Sequence, residues 1–433
     1  MVVMLFGPAA RDATAPQANP ARLVNCFREP GQRTVLRALD GLTEYGDTGA
    51  AICGDMIDMD GAPFAIFGRT LFRLPGEELV MVGSGEQHLS RNGDVITMVS
   101  GGHYYTWSGG LLEEPAGVFA AYGSVAFLNG RTVLTELDGN RFEWSDIGAP
   151  GTLNGLNFAS AEQRDDKLLR VMAVNGVLML FGERSTEIWA ATGLGGTSAF
   201  SLLPGAVVNT GLAARKLAVD VGGAAFIIGN DGIVYLAAST QWQPVSIPAV
   251  NVAVRDGNPL ACVYWEQLGH KFAAIVFEDR PAWVYDLATQ EWFERAEGQD
   301  GRWTVAASCR FAGGWLFGAV SGKTYQSATS GGDMGGTLYH EATSGLIERD
   351  GAYFTVNSVE FGASFGFQPE VATLLLETSR DGATWSRAGS VDLGQDGDFR
   401  RRAVFRSLGR SRKRALRVSW TGNMSLYADA NVA

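Results

Sequence analysis

The stretch Val171-Met-Ala-Val-Asn-Gly-Val-Leu-Met-Leu-Phe181 contains two short apolar runs on either side of an Asn-Gly pair. Both central residues of a type I′ turn need a positive φ angle, and Asn followed by Gly adopts this conformation at low cost. The stretch therefore predicts a β-hairpin. The same pattern places Asn129-Gly130 after the apolar run Ser124–Leu128, and the run Phe64–Phe67 ends at Gly68.

Similar runs and turns recur along most of the 433 residues, and the 56 glycines are about twice the usual share without a collagen-like period. From residue 51 they group into seven units of three or four strands. A four-stranded unit cannot bury both faces alone, so such units pack in a closed ring. Because two of the seven units are short, we predict an all-β chain whose propeller has six or seven blades. The units lie near 51–84, 88–114, 117–146, 168–205, 212–248, 259–297 and 302–345.

Both ends of the chain differ from the repeating units. Residues 7–35 carry four prolines and no helical periodicity, so we assign 1–50 to an amino-terminal arm that contacts other subunits. Residues 51–350 form the expected propeller, and 351–433 form a β-sandwich. The strands expected in the sandwich are Val371–Leu376, Ser386–Val391, Arg400–Phe405 and Ala415–Trp420.

Composition excludes several protein classes. With 46% hydrophobic and 19% charged residues, the chain is too apolar for a disordered protein or a coiled coil. No apolar run reaches the 18 residues of a membrane span, and the amino terminus has no basic region typical of a signal peptide. The cysteines form no CxxC pair, so we expect buried free thiols at Cys26, Cys53, Cys262 and Cys309.

A basic stretch stands out against an acidic chain. The net charge is −11, from 35 basic and 46 acidic residues. Residues 399–428 hold nine basic residues and no acidic residue, so the rest of the chain carries a net charge of −20. Three roles remain open: a solvated strand face, a patch that docks on an acidic neighbour, or contact with DNA phosphates. The nine candidates are Arg400, Arg401, Arg402, Arg406, Arg410, Arg412, Lys413, Arg414 and Arg417.

Motifs for catalysis or cofactor binding are weak. The four histidines include no i, i+4 pair, and no Gly-x-Ser-x-Gly elbow is present. Asp58-Met-Asp60-Gly61 lacks the remaining ligand positions of a calcium loop and predicts a hairpin turn. The segment Ser379–Trp385 is similar to the Asp box of sialidases, in which Asp caps backbone N–H groups and Trp packs beneath. We therefore expect no enzyme, no metal and no cofactor.

A series of short segments resembles one family in its order along the chain. It starts with Ala21–Glu29, which is similar to an Arg-x-x-Asn-x-Tyr-x-Glu stretch except that Phe27 replaces Tyr, and continues from Leu39 to Leu42. Further segments follow at Arg141–Asp146, Leu156–Glu162, Phe181–Trp189, Thr210–Ala214, Gly269–Phe272, Ala282–Thr289, Glu291–Trp292, Ser379–Trp385, Phe405–Gly409 and Arg417–Val418. Together they resemble the packaged-DNA stabilisation proteins, or tail hub (nozzle) proteins, of short-tailed bacteriophages, which are podoviruses.

This resemblance implies a structural tail subunit of the virion, made in the host bacterial cytoplasm. It implies a homo-hexameric ring below the portal and its adaptor ring, with tail needle and tail fibre or spike proteins as further partners. Such a ring retains the packaged genome and forms the conduit for its ejection, while double-stranded DNA passes through without sequence readout. The −20 outside the basic stretch suggests an acidic bore, which repels phosphates during passage.

The alternative is a carbohydrate-binding or glycosidase-like β-propeller that acts in host recognition. An enzyme or lectin of this kind gathers carboxylates and Trp side chains at the axial mouth of its propeller. A conduit subunit leaves that mouth without such a group and makes its contacts on the outer flanks. The chemistry of the propeller axis therefore distinguishes the two hypotheses.

Overall fold

The chain folds into a seven-bladed β-propeller and a β-sandwich, and the sheet of one blade continues into one sheet of the sandwich. The computed structural model of the chain describes residues 6–7, 9, 17–29, 35–50, 52–329, 332–363, 372–394, 397–398, 402–422 and 424–432, with backbone alone for 428–432. Four strands precede the first blade. They are β1 (Arg22–Val24), β2 (Cys26–Glu29), β3 (Val35–Ala38) and β4 (Gly41–Asp47).

Blades 1 to 3 each contain four consecutive antiparallel strands. Blade 1 contains β5 (Cys53–Met59), β6 (Ala62–Phe67), β7 (Thr70–Arg73) and β8 (Glu77–Met81). Blade 2 contains β9 (Gln87–Asn92), β10 (Val95–Ser100), β11 (His103–Ser108) and β12 (Leu111–Glu113). Blade 3 contains β13 (Tyr122–Leu128), β14 (Arg131–Glu136), β15 (Arg141–Asp146) and β16 (Ala149–Ser160).

Blades 4 to 6 repeat this arrangement, with a 3-10 turn at Gly196–Ser198 and one helix, α1 (Pro248–Asp256), between blades 5 and 6. Blade 4 contains β17 (Leu168–Val174), β18 (Val177–Gly182), β19 (Thr186–Ala191) and β20 (Phe200–Val208). Blade 5 contains β21 (Ala218–Asp220), β22 (Ala225–Ile228), β23 (Val234–Ala238) and β24 (Gln241–Pro244). Blade 6 contains β25 (Pro259–Gln267), β26 (His270–Phe277), β27 (Ala282–Asp286) and β28 (Glu291–Arg295).

Blade 7 closes the ring with strands from both sides of the propeller sequence. It contains β29 (Val305–Phe311), β30 (Gly314–Ala319) and β31 (Lys323–Ala328), and its outer strand is β4. Residues 41–47, which we had placed in the amino-terminal arm, therefore belong to the propeller. The reason is that β31 has an open edge, and β4 satisfies it by antiparallel pairing, from Gly41 with Ala328 to Asp47 with Lys323. Ring closure thus depends on a contact between distant parts of the chain.

The predicted hairpin turns are present. Asn129 and Gly130 have φ angles of 52° and 76°, and Asn175 and Gly176 have 49° and 79°, as the type I′ turn requires. Asp60 and Gly61 form the turn between β5 and β6. The sequence leaves six or seven blades open, and the described residues form seven. The seven predicted units match the seven blades in order, with two differences. The third unit, 117–146, omits β16, and the seventh unit, 302–345, lacks β4 and extends beyond the end of β31 at Ala328.

After blade 7, β32 (Gly332–Asp333) and β33 (Gly336–Thr337) form a separate two-stranded sheet. The strands of the sandwich begin at Tyr339, before the expected boundary at residue 351, because β34 and β35 pair with β41. They are β34 (Tyr339–Thr343), β35 (Ile347–Glu348), β36 (Phe354–Ala363), β37 (Thr373–Ser379), β38 (Ser386–Asp392), β39 (Ala403–Arg406), β40 (Arg410–Ser411), β41 (Lys413–Thr421) and β42 (Leu426–Val432). The four strands expected from the sequence correspond to β37, β38, β39 and β41. Val371, Arg400 and Arg401 lie outside the described residues.

The sandwich also takes three strands from the segment that we expected to be a free arm. In one sheet β1 lies between β28 of blade 6 and β34, followed by β41, β37 and β38. In the other sheet the order is β2, β3, β42, β36 and β39. Leu23, Val24, Cys26 and Phe27 are almost completely buried, so β1 and β2 are not available for contacts with other subunits. Burial of this apolar run holds the segment inside the molecule.

Candidate functional site

The basic stretch lies in the sandwich and divides into residues with different surroundings. Of its nine candidates, Arg400 and Arg401 lie outside the described residues. Three of the other seven form ion pairs within the chain. They are Arg402 with Glu360 at 2.7 Å, Lys413 with Glu348 at 2.6 Å, and Arg417 with Glu377 at 2.6 Å. These three cations are partly neutralised before any partner arrives.

Arg414 is a structural residue. Its side chain is buried, and its guanidinium donates hydrogen bonds to the carbonyl oxygen of Leu408 and, at 3.2 Å, to the hydroxyl of Ser411. Burial lowers the pKa of Arg414, and the nearby cation of Arg380 acts in the same direction. This arginine holds the turn between β39 and β41 and does not face solvent.

Arg410 and Arg412 form the exposed part of the stretch, together with Tyr353. The two guanidinium carbons lie 4.9 Å and 4.8 Å from the centre of the Tyr353 ring, which is 54% exposed. Guanidinium groups over an aromatic ring are held in place while their outer N–H groups stay available to anions. We call these three residues the Tyr353 patch. Arg406 is also exposed, on β39.

The propeller axis is a second candidate site, and a lysine crosses it. Lys216 precedes β21 of blade 5, and its ammonium donates hydrogen bonds to the carbonyl oxygens of Gly54 in blade 1 and Gln87 in blade 2. Blade 5 is separated from each of these by two further blades, so the side chain reaches the opposite wall. The backbone carbonyl of Lys216 accepts from Cys262 N–H of blade 6 at 3.0 Å. One residue therefore joins four blades, including its own.

Further charged groups surround Lys216 at the axis. Arg170 of blade 4 donates to the carbonyl oxygens of Arg215 and Ala218, at 2.8 Å and 2.7 Å. Burial lowers the pKa of both Lys216 and Arg170, while the carboxylate of Asp55 acts in the opposite direction on each. Because these cations are tied to backbone carbonyls, the axial end is a hydrogen-bonded closure. The carboxylate of Glu86 also acts on both cations, in the same direction as Asp55.

The junction between propeller and sandwich is organised by Asn25, which lies between β1 and β2. Its φ is 54°, and it is completely buried. The side-chain amide donates to the carbonyls of Ala296 and Tyr339, at 2.9 Å and 2.7 Å, and accepts from Ala296 N–H at 2.9 Å. The backbone carbonyl accepts from Leu39 N–H and from Nδ1–H of His340, at 2.9 Å and 2.7 Å. Asn25 thus joins the arm, blade 6 and the sandwich.

Ion pairs and aromatic contacts reinforce this junction. Arg22 binds Glu294 of β28 through two hydrogen bonds, at 2.9 Å and 2.7 Å, and also lies 2.8 Å from Asp300. Phe27 packs on His270 and Phe272, with ring centres 4.7 Å and 5.1 Å away. The sequence motif around Asn25 was part of the family resemblance, but spacing alone did not reveal that it is an interdomain joint.

Other sequence motifs have the structural roles that we expected. Oδ1 of Asp381 accepts hydrogen bonds from the N–H groups of Ala383 and Thr384, at 2.9 Å and 2.7 Å, and these bonds lower its pKa. Trp385 lies against the guanidinium of Arg417. All four cysteines are buried and unpaired, as predicted. Within the described ranges, no cluster of three or more His, Cys, Asp or Glu residues is arranged to hold a metal ion.

Two family models match the chain. One is described as Bacteriophage P22 Gp10, beta-propeller, and matches residues 15–327, and the other is described as Bacteriophage P22 Gp10, beta-sandwich, and matches residues 339–430. The first range includes β1 to β3 and starts well before residue 51, where we expected the propeller to begin. No curated protein matches the chain. In the part of the chain that the structure describes, no helix has the length and apolar character needed to cross a bilayer.

Solved structures show more distant likeness. The designed Ika8 protein is 13% identical, with a TM-score of 0.42, and the match covers 75% of this chain and 99% of the other. The extracellular domains of a putative one-component system and a putative hybrid two-component system of B. thetaiotaomicron are 10% and 9% identical, with TM-scores of 0.46 and 0.47. These matches cover 66% and 67% of this chain, which spans 40% of each relative.

Proposed function

Because the chain belongs to the bacteriophage P22 Gp10 family of packaged-DNA stabilisation and tail hub proteins, we propose that it forms a hexameric ring in the phage tail. The ring lies below the portal and its adaptor ring, retains the packaged genome and forms the conduit for ejection. Tail needle and tail fibre or spike proteins bind to the same assembly. The protein is made in the host cytoplasm and works without catalysis.

The observation that carries this proposal is the closed propeller axis. A hydrogen-bonded lysine that joins blades 1, 2 and 5 lies across the axis at that end of the propeller. The duplex must then pass between copies, along the axis of a ring, and not through any single propeller. A conduit built from such subunits therefore requires several copies arranged around one bore.

The charge distribution of the chain supports a bore to which DNA does not bind. Apart from residues 399–428 the chain carries −20, and blades 1 to 5, residues 52–247, carry 20 acidic and 11 basic residues. Acidic walls repel phosphates, so the duplex slides and does not bind. The exposed cations of the sandwich have the opposite sign. We assign the Tyr353 patch and Arg406 to docking on an acidic neighbour, either the adaptor ring or the next copy.

The decisive experiment measures mass and shape in one sample. Light scattering of the purified chain, alone and with its adaptor ring, is combined with electron microscopy of the same material. Six-fold rings, in either condition, support the proposal. A chain that stays monomeric, ignores the adaptor and binds or cleaves a host glycan contradicts it.

The carbohydrate hypothesis lacks its expected site in the described axis. The charged side chains around Lys216 there include Arg170, Asp55 and Glu86, whereas stacking on a sugar ring needs an accessible aromatic face. Trp144, Trp292 and Trp303 are fully buried and pack within or between blades. A glycan array on the purified chain tests this alternative directly.

A further inference from the structure

The outer strands of three consecutive blades contain no charged residue. These strands are β16 of blade 3, β20 of blade 4 and β24 of blade 5. By contrast, each outer strand of the other four blades, β8, β12, β28 and β4, carries at least one acidic residue. The pattern extends beyond the strands, because 147–161, 188–214 and 232–254 contain no Asp, Glu, Lys, Arg or His.

An outer strand has one edge without a pairing partner, and soluble proteins protect such edges with charged side chains. Blades 1, 2 and 7 follow this rule, and the edge of blade 6 is covered by β1. Blades 3 to 5 do not follow it. An interface core is depleted of charged residues in the same way, so this side of the propeller has the composition of a contact surface. We call β16, β20 and β24, with Ile147 and Leu194, the uncharged flank.

Blade 3 presents apolar side chains on this flank by means of a bulge. Ser145 pairs with Leu153, and Glu143 pairs with Phe158, so four residues of β16 lie opposite one residue of β15. Within the bulge Leu156 N–H donates to Oδ1 of Asn154 at 3.1 Å. Leu156 is 68% exposed. The local hydrogen bond holds the bulge and directs a leucine into solvent.

Blade 4 continues the same surface. Nε1–H of Trp144 in blade 3 donates to the carbonyl oxygen of Gly196 at 3.2 Å, so the loop before β20 packs on its neighbour. This loop carries Leu194, which is exposed, as is Ile147 in the turn between β15 and β16 of blade 3. The apolar residues of the two blades therefore lie on one continuous flank.

The flank is large enough for a stable interface. At about 3.3 Å per residue, the residues of β16 outside the bulge span about 26 Å, β20 spans about 30 Å and β24 about 13 Å, and each blade edge is about 10 Å wide. The three edges together give about 700 Å² on one partner, which lies within the standard size of a specific interface. A surface of this size without charge gives no ion pair to DNA phosphates or to the arginines of the sandwich.

We propose that the uncharged flank binds a second copy of this chain, in the head-to-tail contact that closes the ring. The inference rests on the proposed function. Cyclic closure needs two different surfaces on each copy, and the flank is centred on blade 4, whereas the sandwich extends from blade 6. The neighbour therefore approaches the flank with a surface other than its own flank. Apolar burial, and not charge pairing, supplies this contact.

The test introduces a charge at the exposed bulge of blade 3, within the flank. Leu156→Asp places a carboxylate in the contact, and we expect at least a tenfold loss of assembly at the concentration where the wild type is half assembled. The matched control is Leu111→Asp on β12, where the leucine is 62% exposed on the outer strand of blade 2. Light scattering measures assembly, and thermal unfolding verifies that both variants fold.

The outcomes separate this inference from the proposed function. If Leu156→Asp assembles into rings as the wild type does, the flank is not the contact, while the ring proposal stands. If the wild type forms dimers or open chains that Leu156→Asp abolishes, the contact is supported and the ring is contradicted. A wild type that remains monomeric in every condition contradicts both.

A labelling experiment gives a second measurement that does not depend on weakened assembly. All four native cysteines are buried, so Leu156→Cys and Leu111→Cys each add one reactive exposed thiol. In assembled wild-type-like rings we expect thiol labelling to be at least tenfold slower at position 156 than at 111. Equal rates contradict the proposal. Protection by the adaptor under conditions in which the copies do not bind one another also contradicts it and assigns the flank to that protein.

Discussion

The ammonium group of Lys216 donates a hydrogen bond to the carbonyl oxygen of Gly54, which lies on the opposite wall of the propeller. It donates a second bond to Gln87, so a single side chain connects blade 5 with blades 1 and 2. Sheets in a propeller are otherwise held mainly by contacts between neighbours. This connection across the axis both stabilises the ring of blades and closes its centre.

Replacement of this lysine tests the closure. Lys216→Met keeps much of the apolar stem but leaves two inner-strand carbonyls without their donor, so we expect a loss of about 2 to 3 kcal/mol in unfolding free energy. Urea titration followed by Trp fluorescence measures it. Lys271→Met, at an exposed position on β26, is the control and should change stability by no more than about 0.5 kcal/mol. Equal effects of the two substitutions would show that the cross-axis bonds contribute little.

The interdomain joint makes a second prediction. Asn25→Ala removes three side-chain hydrogen bonds and leaves buried groups of Ala296 and Tyr339 unpaired. We expect a loss of about 3 to 5 kcal/mol and faster proteolysis between propeller and sandwich. Asn175→Ala is the matched control, because Asn175 also has a positive φ but is exposed in a hairpin turn, so it should cost only about 1 kcal/mol. If both variants lose the same stability, backbone strain and not the joint explains the effect.

Acid should weaken the same joint through His340. Burial is the largest cause that lowers its pKa, to about 4, from an ordinary value of 6.5. Between these values the unfolded chain binds more protons than the folded protein. The stability contributed by neutral His340 is therefore complete above about pH 6.5 and is lost as the pH falls towards 4.

From pH 7 to pH 5 this corresponds to about 2 kcal/mol. Urea unfolding at both pH values measures the loss in the wild type and in His340→Gln. His88 has a lowered pKa as well and adds a loss of the same sign in both proteins. The difference between the two slopes is the contribution of His340, and identical slopes would contradict its titration in this range.

Two arginines of the basic stretch should behave differently although they are two residues apart. Arg414→Ala leaves the buried Leu408 carbonyl without its donor, and we expect a loss of about 2 to 3 kcal/mol. Arg412→Ala removes an exposed cation over Tyr353 and should cost at most about 1 kcal/mol. Of these two variants, if both fold, only Arg412→Ala should bind the adaptor ring more weakly than the wild type. Normal binding by that variant would remove the Tyr353 patch from the interface.

Much of the fold followed from local pattern. Asn129-Gly130 and Asn175-Gly176 predicted their hairpins because positive φ at two successive residues is a local property. Seven units of strands predicted the blades, and Asp381 predicted its capping turn, because each depends on residues close in the chain. The family resemblance added the sandwich and the tail role.

Contacts between residues that are far apart in the sequence could be identified only from the tertiary structure. No spacing rule links β4 to β31, or Lys216 to Gly54, because these partners lie more than 150 residues apart. Similarly, nine basic residues in one stretch could not be divided by sequence into paired, buried and exposed cations. The paired cations are those whose partners, Glu360, Glu348 and Glu377, are brought close by folding. By itself the sequence determined the local strands and turns, whereas pairing of open edges and buried polar groups decided how the ring closes and which surfaces remain free.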